Sequence, residues 1–295
     1  MASFPTVVDS SESVEPILER LHAEGVRAVF RYYALEKQPE LPSKIVTPRE
    51  RDAIFDAGLS LGIAFQFHND KITTFTPDRG AKDAAKALDY GGGAIQQQHG
   101  SAIYFGVDGD FSSPAELDAV RSYFDAVNHA FVHAGSPFEI GVYGSGLSCE
   151  TLASSGLATK FWLAKSTRYP GTQRFYNQRR WHLYQNMLEV PIGAGAVDTN
   201  WLNSGANGPG TFDRHGPTAP AEPAAVVAER RFVTQEADLF TQPDQGSRRS
   251  GTLHARENVV VVQEQGDWAR VRVRENATLD LYVRSERLRP IERMP

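Results

Sequence analysis

Ala102-Ile103-Tyr104-Phe105-Gly106-Val107-Asp108-Gly109-Asp110 is an apolar run that ends abruptly in two acids. A run of this length and composition reads as a strand buried on both faces. Carboxylates are excluded from such strands unless something compensates for their lost hydration. Asp108 and Asp110 are two residues apart, so as strand residues they project to one face, roughly 7 Å apart along the backbone. Where strands alternate with helices, the C-terminal ends of the strands are where active sites gather. A plainer use of the two acids is to cap a helix that starts near Ser112-Ser113-Pro114.

Outward from this run, apolar strands and amphipathic helices alternate from residue 5 to about 202. Thr6–Asp9 reads as the first strand, Val14–Ala23 as a helix and Val26–Tyr33 as the second strand. Thr47-Pro48-Arg49-Glu50 has the spacing of a capping box with proline at the first helical position. Leu61–Phe67 is the third strand, and a helix over Asp78–Asp89 is expected to stop at Gly91-Gly92-Gly93. After the opening strand come a helix over Ala115–Ala134, a strand over Phe138–Tyr143, a short helix over Leu147–Ser154 and a strand over Lys160–Lys165. Trp181–Gln185 and Gly195–Asp198 complete eight strands with little helix between the last two. This is an α/β chain, and eight strands in about 200 residues favour a (β/α)8 TIM-like barrel with some helices shortened. A doubly wound open sheet is the alternative, but no glycine-rich phosphate fingerprint follows the first strand.

Residues 204–228 are rich in Gly, Pro and Ala and read as a linker between a barrel over 1–203 and a second domain over 229–295. In that second domain the period changes to two, with short strands at close spacing, as in a small all-β barrel.

The net charge of −5 argues against a general nucleic-acid or anionic-membrane binder. Cys149 is the only cysteine, so neither an intrachain disulfide nor a cysteine-based zinc site can form. No apolar segment approaches the length of a membrane span. Met1–Asp9 lacks a basic region followed by a long apolar stretch, so no secretory signal is expected. The protein is therefore expected to stay cytoplasmic until lysis or a dedicated secretion system releases it.

Acids recur at the strand ends. Asp9 ends the first strand, Asp108 and Asp110 the fourth and Asp198 the eighth. In a closed barrel the first and eighth strands are neighbours, so Asp9 and Asp198 meet at one rim with the fourth strand across from them. Carboxylates gathered at one mouth repel, so at least one should hold a proton near neutral pH. One protonated and one ionised carboxyl is the usual equipment for cleaving a glycosidic bond. Arg31, Tyr32, Tyr33, Gln66, Tyr143, Lys165, Tyr184 and Gln185 also fall at strand ends, and such side chains suit the polar rims and apolar faces of sugars. No histidine stands among them, so no metal is expected, and no cofactor. Tyr143-Gly144-Ser145-Gly146 lacks the first glycine of a nucleophile elbow, which argues against a serine hydrolase.

In sequence order, Val8-Asp9, Phe30-Arg31-Tyr32-Tyr33, Thr47–Glu50, Tyr104–Asp110, Gly141-Val142-Tyr143-Gly144, Phe161-Trp162-Leu163-Ala164, Tyr184-Gln185 and Val197-Asp198 carry a family resemblance. Residues 5–203 resemble the glycoside hydrolase-like barrel catalogued as domain of unknown function 1906, a relative of the family-25 glycoside hydrolases, the lysozyme-type muramidases. The resemblance implies an enzyme that cleaves the glycan strands of peptidoglycan, and the chain is expected to act as a monomer. It puts Asp110 in the place of the proton donor and Asp108 in that of its partner, which stabilises developing positive charge. Asp9 and Asp198, with Arg31, Tyr32, Gln66, Tyr143, Lys165 and Gln185, would line the sugar cleft, and the two acids would keep Asp110 protonated. The muramidase motif is Asp-x-Glu. Asp110 is one methylene shorter, so its carboxyl sits about 1.5 Å further back. A non-catalytic glycan-binding barrel is the alternative. Residues 230–291 resemble bacterial SH3-like domains through Ala237–Phe240, Val259–Val262, Gly266-Asp267-Trp268-Ala269-Arg270-Val271 and Leu281-Tyr282-Val283. That resemblance implies a module that tethers the enzyme to the wall.

Overall fold

The computed structural model describes residues 5–166, 169–203, 205–218 and 229–290, apart from 241, 242, 248, 256, 266 and 273–280. The chain divides into two compact units between residues 218 and 229.

The first unit is a closed, TIM-like barrel. Its wall is β1 (Val7–Asp9), β2 (Ala28–Tyr33), β3 (Ser60–Phe65), β4 (Ala102–Val107), β5 (Glu139–Gly144), β6 (Lys160–Leu163), β7 (Leu183–Ile192) and β8 (Gly195–Leu202). The strands follow the order β3-β2-β1-β8-β7-β6-β5-β4, and β4 pairs back onto β3 to close the ring. Around it lie α1 (Leu18–Ala23), α2 (Pro48–Asp56), α3 (Pro77–Asp89), α4 (Pro114–His133), α5 (Gly146–Ser154) and α6 (Thr172–Asn177). Among the described residues no helix is long and apolar enough to cross a membrane.

Alternation along each strand decides what fills the barrel. Val7, Ala28, Phe30, Ala64, Ala102, Tyr104, Trp162 and Leu183 form the interior. The rings of Phe30, Tyr104 and Trp162 meet there at centroid distances of 5.0 to 5.8 Å. Glycines face the largest rings: a Cβ at Gly62 would lie 2.4 Å from Phe30, and one at Gly141 2.6 Å from Tyr104. Residues of the opposite parity face the helices, as Phe105 does against Tyr123, Phe124 and Phe131.

Helix starts follow their capping residues. Ser113 and Glu116 form a reciprocal capping box around Pro114, so α4 is capped by them and not by Asp108 or Asp110. Thr47 caps α2 by accepting from the Glu50 amide, but the Glu50 carboxylate turns inward instead of completing a box. Gly91-Gly92-Gly93 do not end the helix after Asp89; residues Tyr90–Ile95 continue it as a π-helical turn.

Two further differences concern topology. β8 runs antiparallel to both β7 and β1, because only Gly193 and Ala194 join it to β7 and a parallel crossover needs a dozen residues or more. The expected linker also starts too early at 204. Within it, β9 (Thr211–Asp213) and β10 (Gly216–Thr218) form a hairpin, and Phe212 pairs with Leu61 of β3. The Ala102 amide donates to Gly210 O at 2.8 Å, and the buried Tyr104 hydroxyl donates to Pro209 O at 2.8 Å. Lys160 Nζ donates to Asn207 Oδ1 and Gly208 O at 2.9 and 3.1 Å. Buried donors at the N-terminal end of the barrel need acceptors, and this polar segment supplies them. Residues 219–228 of the expected linker lie outside the described residues.

The second unit is an antiparallel sheet of β11 (Glu229–Val233), β12 (Ala237–Phe240), β13 (Arg249–Leu253), β14 (Asn258–Gln265), β15 (Trp268–Arg272), β16 (Leu281–Arg284) and β17 (Leu288–Pro290). Its order is β13-β12-β16-β15-β14-β11-β17. Val233, Leu239, Leu253, Val261, Val271 and Val283 are among the residues of its core. Trp268 lies edge-on to Phe240 at 5.3 Å, with the Arg284 guanidinium 4.6 Å over its ring.

Candidate functional site

The register of β1 on β8 places Asp9 directly opposite Asp198. Val7 faces the barrel interior, so Asp9, two residues on, faces it too, at the mouth end. Asn200, two residues from Asp198, donates to Asp9 Oδ1 at 2.8 Å, and Tyr32 Oη donates to Asp9 Oδ2 at 2.9 Å. Trp162 Nε1 donates to Asn200 Oδ1 at 2.7 Å, which fixes the orientation of that amide. Asp9 is 1% exposed. Burial, and then the charge of Asp198, push its carboxyl up to about 7, against hydrogen bonds from Asn200, Tyr32 and Gln185. A group with this value exchanges its proton near neutral pH.

Asp198 is half-buried. Its Oδ2 accepts from Gln185 Nε2 and its Oδ1 from the Glu189 amide, both at 2.8 Å. Burial raises its proton affinity, and the Glu189 amide and the charge of Lys165 oppose that rise. Tyr143 Oη donates to Gln185 Oε1 at 2.8 Å, linking β5 to β7 across the mouth.

Asp108 continues the inward-facing parity of Ala102 and Tyr104 on β4. Its Oδ2 accepts from Gln66 Nε2 at 2.9 Å, and its amide donates to Asn69 O at 2.9 Å. Burial raises its proton affinity; the Gln66 bond and the charge of Lys44 oppose that, and Asp70 adds to it. Lys44 Nζ donates to Gln66 Oε1 at 3.1 Å and lies 5.1 Å from the centroid of the Tyr32 ring. The charges of Asp108, Asp9 and Asp198 all reach the Tyr143 hydroxyl, so the three acids share one mouth. Three carboxyls of raised proton affinity, rimmed by tyrosine hydroxyls and amides, can donate and accept protons around a polyhydroxylated ligand.

Residues 19–202 match the Rv2525c-like, glycoside hydrolase-like domain, which is more than half of the chain. The chain belongs to this family. The matched range takes in Asp108, Asp110 and Asp198 and starts after Asp9. The protein YbfG of Bacillus subtilis (strain 168) is 27% identical over 186 residues, or 60% of this chain. The chain spans about a quarter of that relative's length, 25%. Among solved structures, the Tat-secreted protein Rv2525c of Mycobacterium tuberculosis, crystallised with L-tartrate, superposes with a TM-score of 0.58 at 20% identity, covering 68% of this chain and 96% of that one. An uncharacterized B. stearothermophilus protein reaches a TM-score of 0.50 at 15% identity, covering 67% and 95% of the two chains. Likeness at these identities is a likeness of fold.

In this glycoside hydrolase-like barrel, Asp9, Tyr32, Gln66, Asp108, Tyr143, Gln185 and Asp198 come together at the mouth. Arg31 does not. It faces outward between Phe30 and Tyr32, fully buried, and its Nε donates to Glu50 Oε1 at 2.8 Å. Its other nitrogens donate to the carbonyls of Ser10 and Ser43. Arg31 is a framework residue. Tyr33 and Tyr184 share that outward parity: Tyr33 Oη donates to Gln97, and Tyr184 lies against the rings of Tyr176 and Trp201. Lys165 is exposed, near enough for its charge to act on Asp198. Asp110 is exposed as well, and its charge reaches Tyr169. Among Asp9, Asp108 and Asp198 the carboxyl most withdrawn from water is that of Asp9, and burial raises its proton affinity most. Lys44, Asn200 and Trp162 are site residues that sequence reasoning missed. Asn200 had a signal, since it shares the parity of Asp198 two residues away.

Proposed function

We propose that the barrel is a glycoside hydrolase that cleaves the glycan strands of bacterial peptidoglycan. The second unit is proposed as an SH3-like module that holds the enzyme on the wall. The reading is carried by one observation: Asp9, Asp108 and Asp198, each with raised proton affinity, converge on one mouth lined by Tyr32, Tyr143, Gln66 and Gln185. The protein acts as a monomer.

In this mechanism Asp108 gives its proton to the glycosidic oxygen. The bond from that oxygen to the anomeric carbon breaks, and positive charge develops on the ring left behind. Asp110 stabilises that charge. Water then bonds to the anomeric carbon and returns a proton to Asp108, so each cleavage consumes one water. Asp9 and Asp198, held by Asn200, Tyr32 and Gln185, bind the hydroxyls of the sugar at the floor. These roles exchange those that the Asp-x-Glu motif implies for Asp108 and Asp110. A donor must hold a proton where it works, and the half-buried Asp108 has its proton affinity raised by burial, whereas Asp110 is exposed.

Purified peptidoglycan incubated with the protein is expected to gain reducing ends, and Asp108→Asn is expected to abolish the gain. The exposure and short side chain of Asp110 favour one other reading, a barrel that binds glycans without cutting them. Binding to peptidoglycan with no reducing ends released would establish that reading and overturn the proposal.

The unit over 229–290 is read as SH3-like from its short antiparallel strands around a small apolar core and from Gly266-Asp267-Trp268 ahead of the alternating valines.

A further inference from the structure

Lys44 stands in the irregular segment between β2 and α2, yet it is 7% exposed and comes to the mouth between two acid centres. On one side its ammonium lies over the ring of Tyr32, whose hydroxyl donates to Asp9. On the other it donates to Gln66, which donates to Asp108. We propose that Lys44 is a positioning residue: it fixes which way the Gln66 amide points, and through that amide it governs proton transfer at Asp108. This rests on the reading of Asp108 as the proton donor.

An ammonium has only donors, so the group it meets on Gln66 at 3.1 Å must be the carbonyl oxygen. The amide nitrogen is thereby turned to Asp108 Oδ2, at 2.9 Å, as a donor. A donor favours the ionised carboxylate. Without the ammonium, Gln66 is free to rotate its amide and present its oxygen to a protonated Asp108, which favours the neutral acid. The same side chain would then support the opposite protonation state. Lys44 selects between them.

The segment carrying Lys44 is held from below. Ser43 O accepts from Arg31 Nη2 at 2.6 Å, and the Val46 amide donates to Tyr32 O at 3.0 Å. The buried Arg31–Glu50 pair therefore anchors the residue next to Lys44. The charged and titratable groups acting around Asp108 come from each neighbouring element: Lys44 before α2, Asp70 after β3, Tyr143 on β5 and Tyr169 after β6. Those acting on Lys44 are Asp108 and Glu40.

The test is a carbon-13 NMR titration of Asp carboxyls in the full chain, with Asp108 assigned through Asp108→Asn. In Lys44→Met the Asp108 midpoint is expected to rise by about one pH unit, and Lys44→Arg is expected to return it to within a fraction of that shift. Gln66→Met, which leaves Lys44 in place, is expected to raise the midpoint too, and adding Lys44→Met to it is expected to raise it further by clearly less than Lys44→Met does alone, the remainder being the direct effect of the ammonium charge on Asp108. A midpoint unmoved in folded Lys44→Met, or unmoved in Gln66→Met, overturns the proposal. Fully additive shifts in the double variant also overturn it, because Lys44 would then act on Asp108 without the amide. The titration needs no turnover. Failure to release reducing ends removes the hydrolytic reading of Asp108, whereas the titration alone decides the role of Lys44.

Discussion

Arg31 commits its guanidinium to Glu50 and to the carbonyls of Ser10 and Ser43, and Glu50 Oε1 also accepts from the Val14 amide at 2.9 Å. Removing one member of a buried pair strands the other without hydration. Arg31→Met is therefore expected to cost roughly 3–5 kcal/mol of stability in urea denaturation. Asp9 makes a prediction of the opposite kind. Its folded-state value of about 7 lies above the ordinary 3.8, so its neutral form contributes stability that is full below pH 3.8 and lost as the pH rises through 7. The loss amounts to roughly 4 kcal/mol at pH 8. Asp9→Asn carries no such loss. Its melting temperature is expected to match that of the wild type near pH 4 and to exceed it by several degrees at pH 8; equal differences at both pH values would contradict the burial of Asp9. Parity explains which residues were legible at this scale. Phe30 and Tyr32 face inward, so Arg31 must face outward, although its strand-end position alone suggests the mouth. Lys44 follows Leu41-Pro42-Ser43 in a segment with no period, and nothing local in the sequence brings it to Asp108.

At the scale of elements, β1 to β6 and the helices between them follow from alternation and caps, except that the helix after β3 runs on through Gly91-Gly92-Gly93 as a π-helical turn. The β7–β8 hairpin does not, because Gly195–Asp198 reads equally well in either direction. Asp198 still meets Asp9, through an antiparallel register in place of a shared strand end. The segment over 205–218 was illegible for another reason. It is poor in apolar side chains, and its role is to present backbone carbonyls to Ala102, Tyr104 and Lys160. Ending the chain after Asn203 leaves the Ala102 amide and the Tyr104 hydroxyl without these acceptors, and Lys160 with only Glu139. A chain so shortened is expected to melt on the order of 10 °C lower in a thermal scan. An unchanged melting temperature would show that the hairpin decorates the barrel without supporting it.

Across the whole molecule, a barrel with an acidic mouth is joined to a small antiparallel unit, and the two are expected to divide the labour. If the second unit holds the wall, deleting residues 229–295 should leave cleavage of soluble glycan fragments intact. On whole sacculi the same deletion should slow release about tenfold or more, because the tether raises the effective concentration of substrate. Equal slowing on both substrates would argue for a structural role instead. The central claim is that the mouth breaks glycosidic bonds with Asp108 as proton donor. Reducing-end release from purified peptidoglycan, compared between the wild-type chain and a folded Asp108→Asn variant, tests it most directly: release by the first and none by the second is the predicted result, and equal release by both, or none by either, would contradict it.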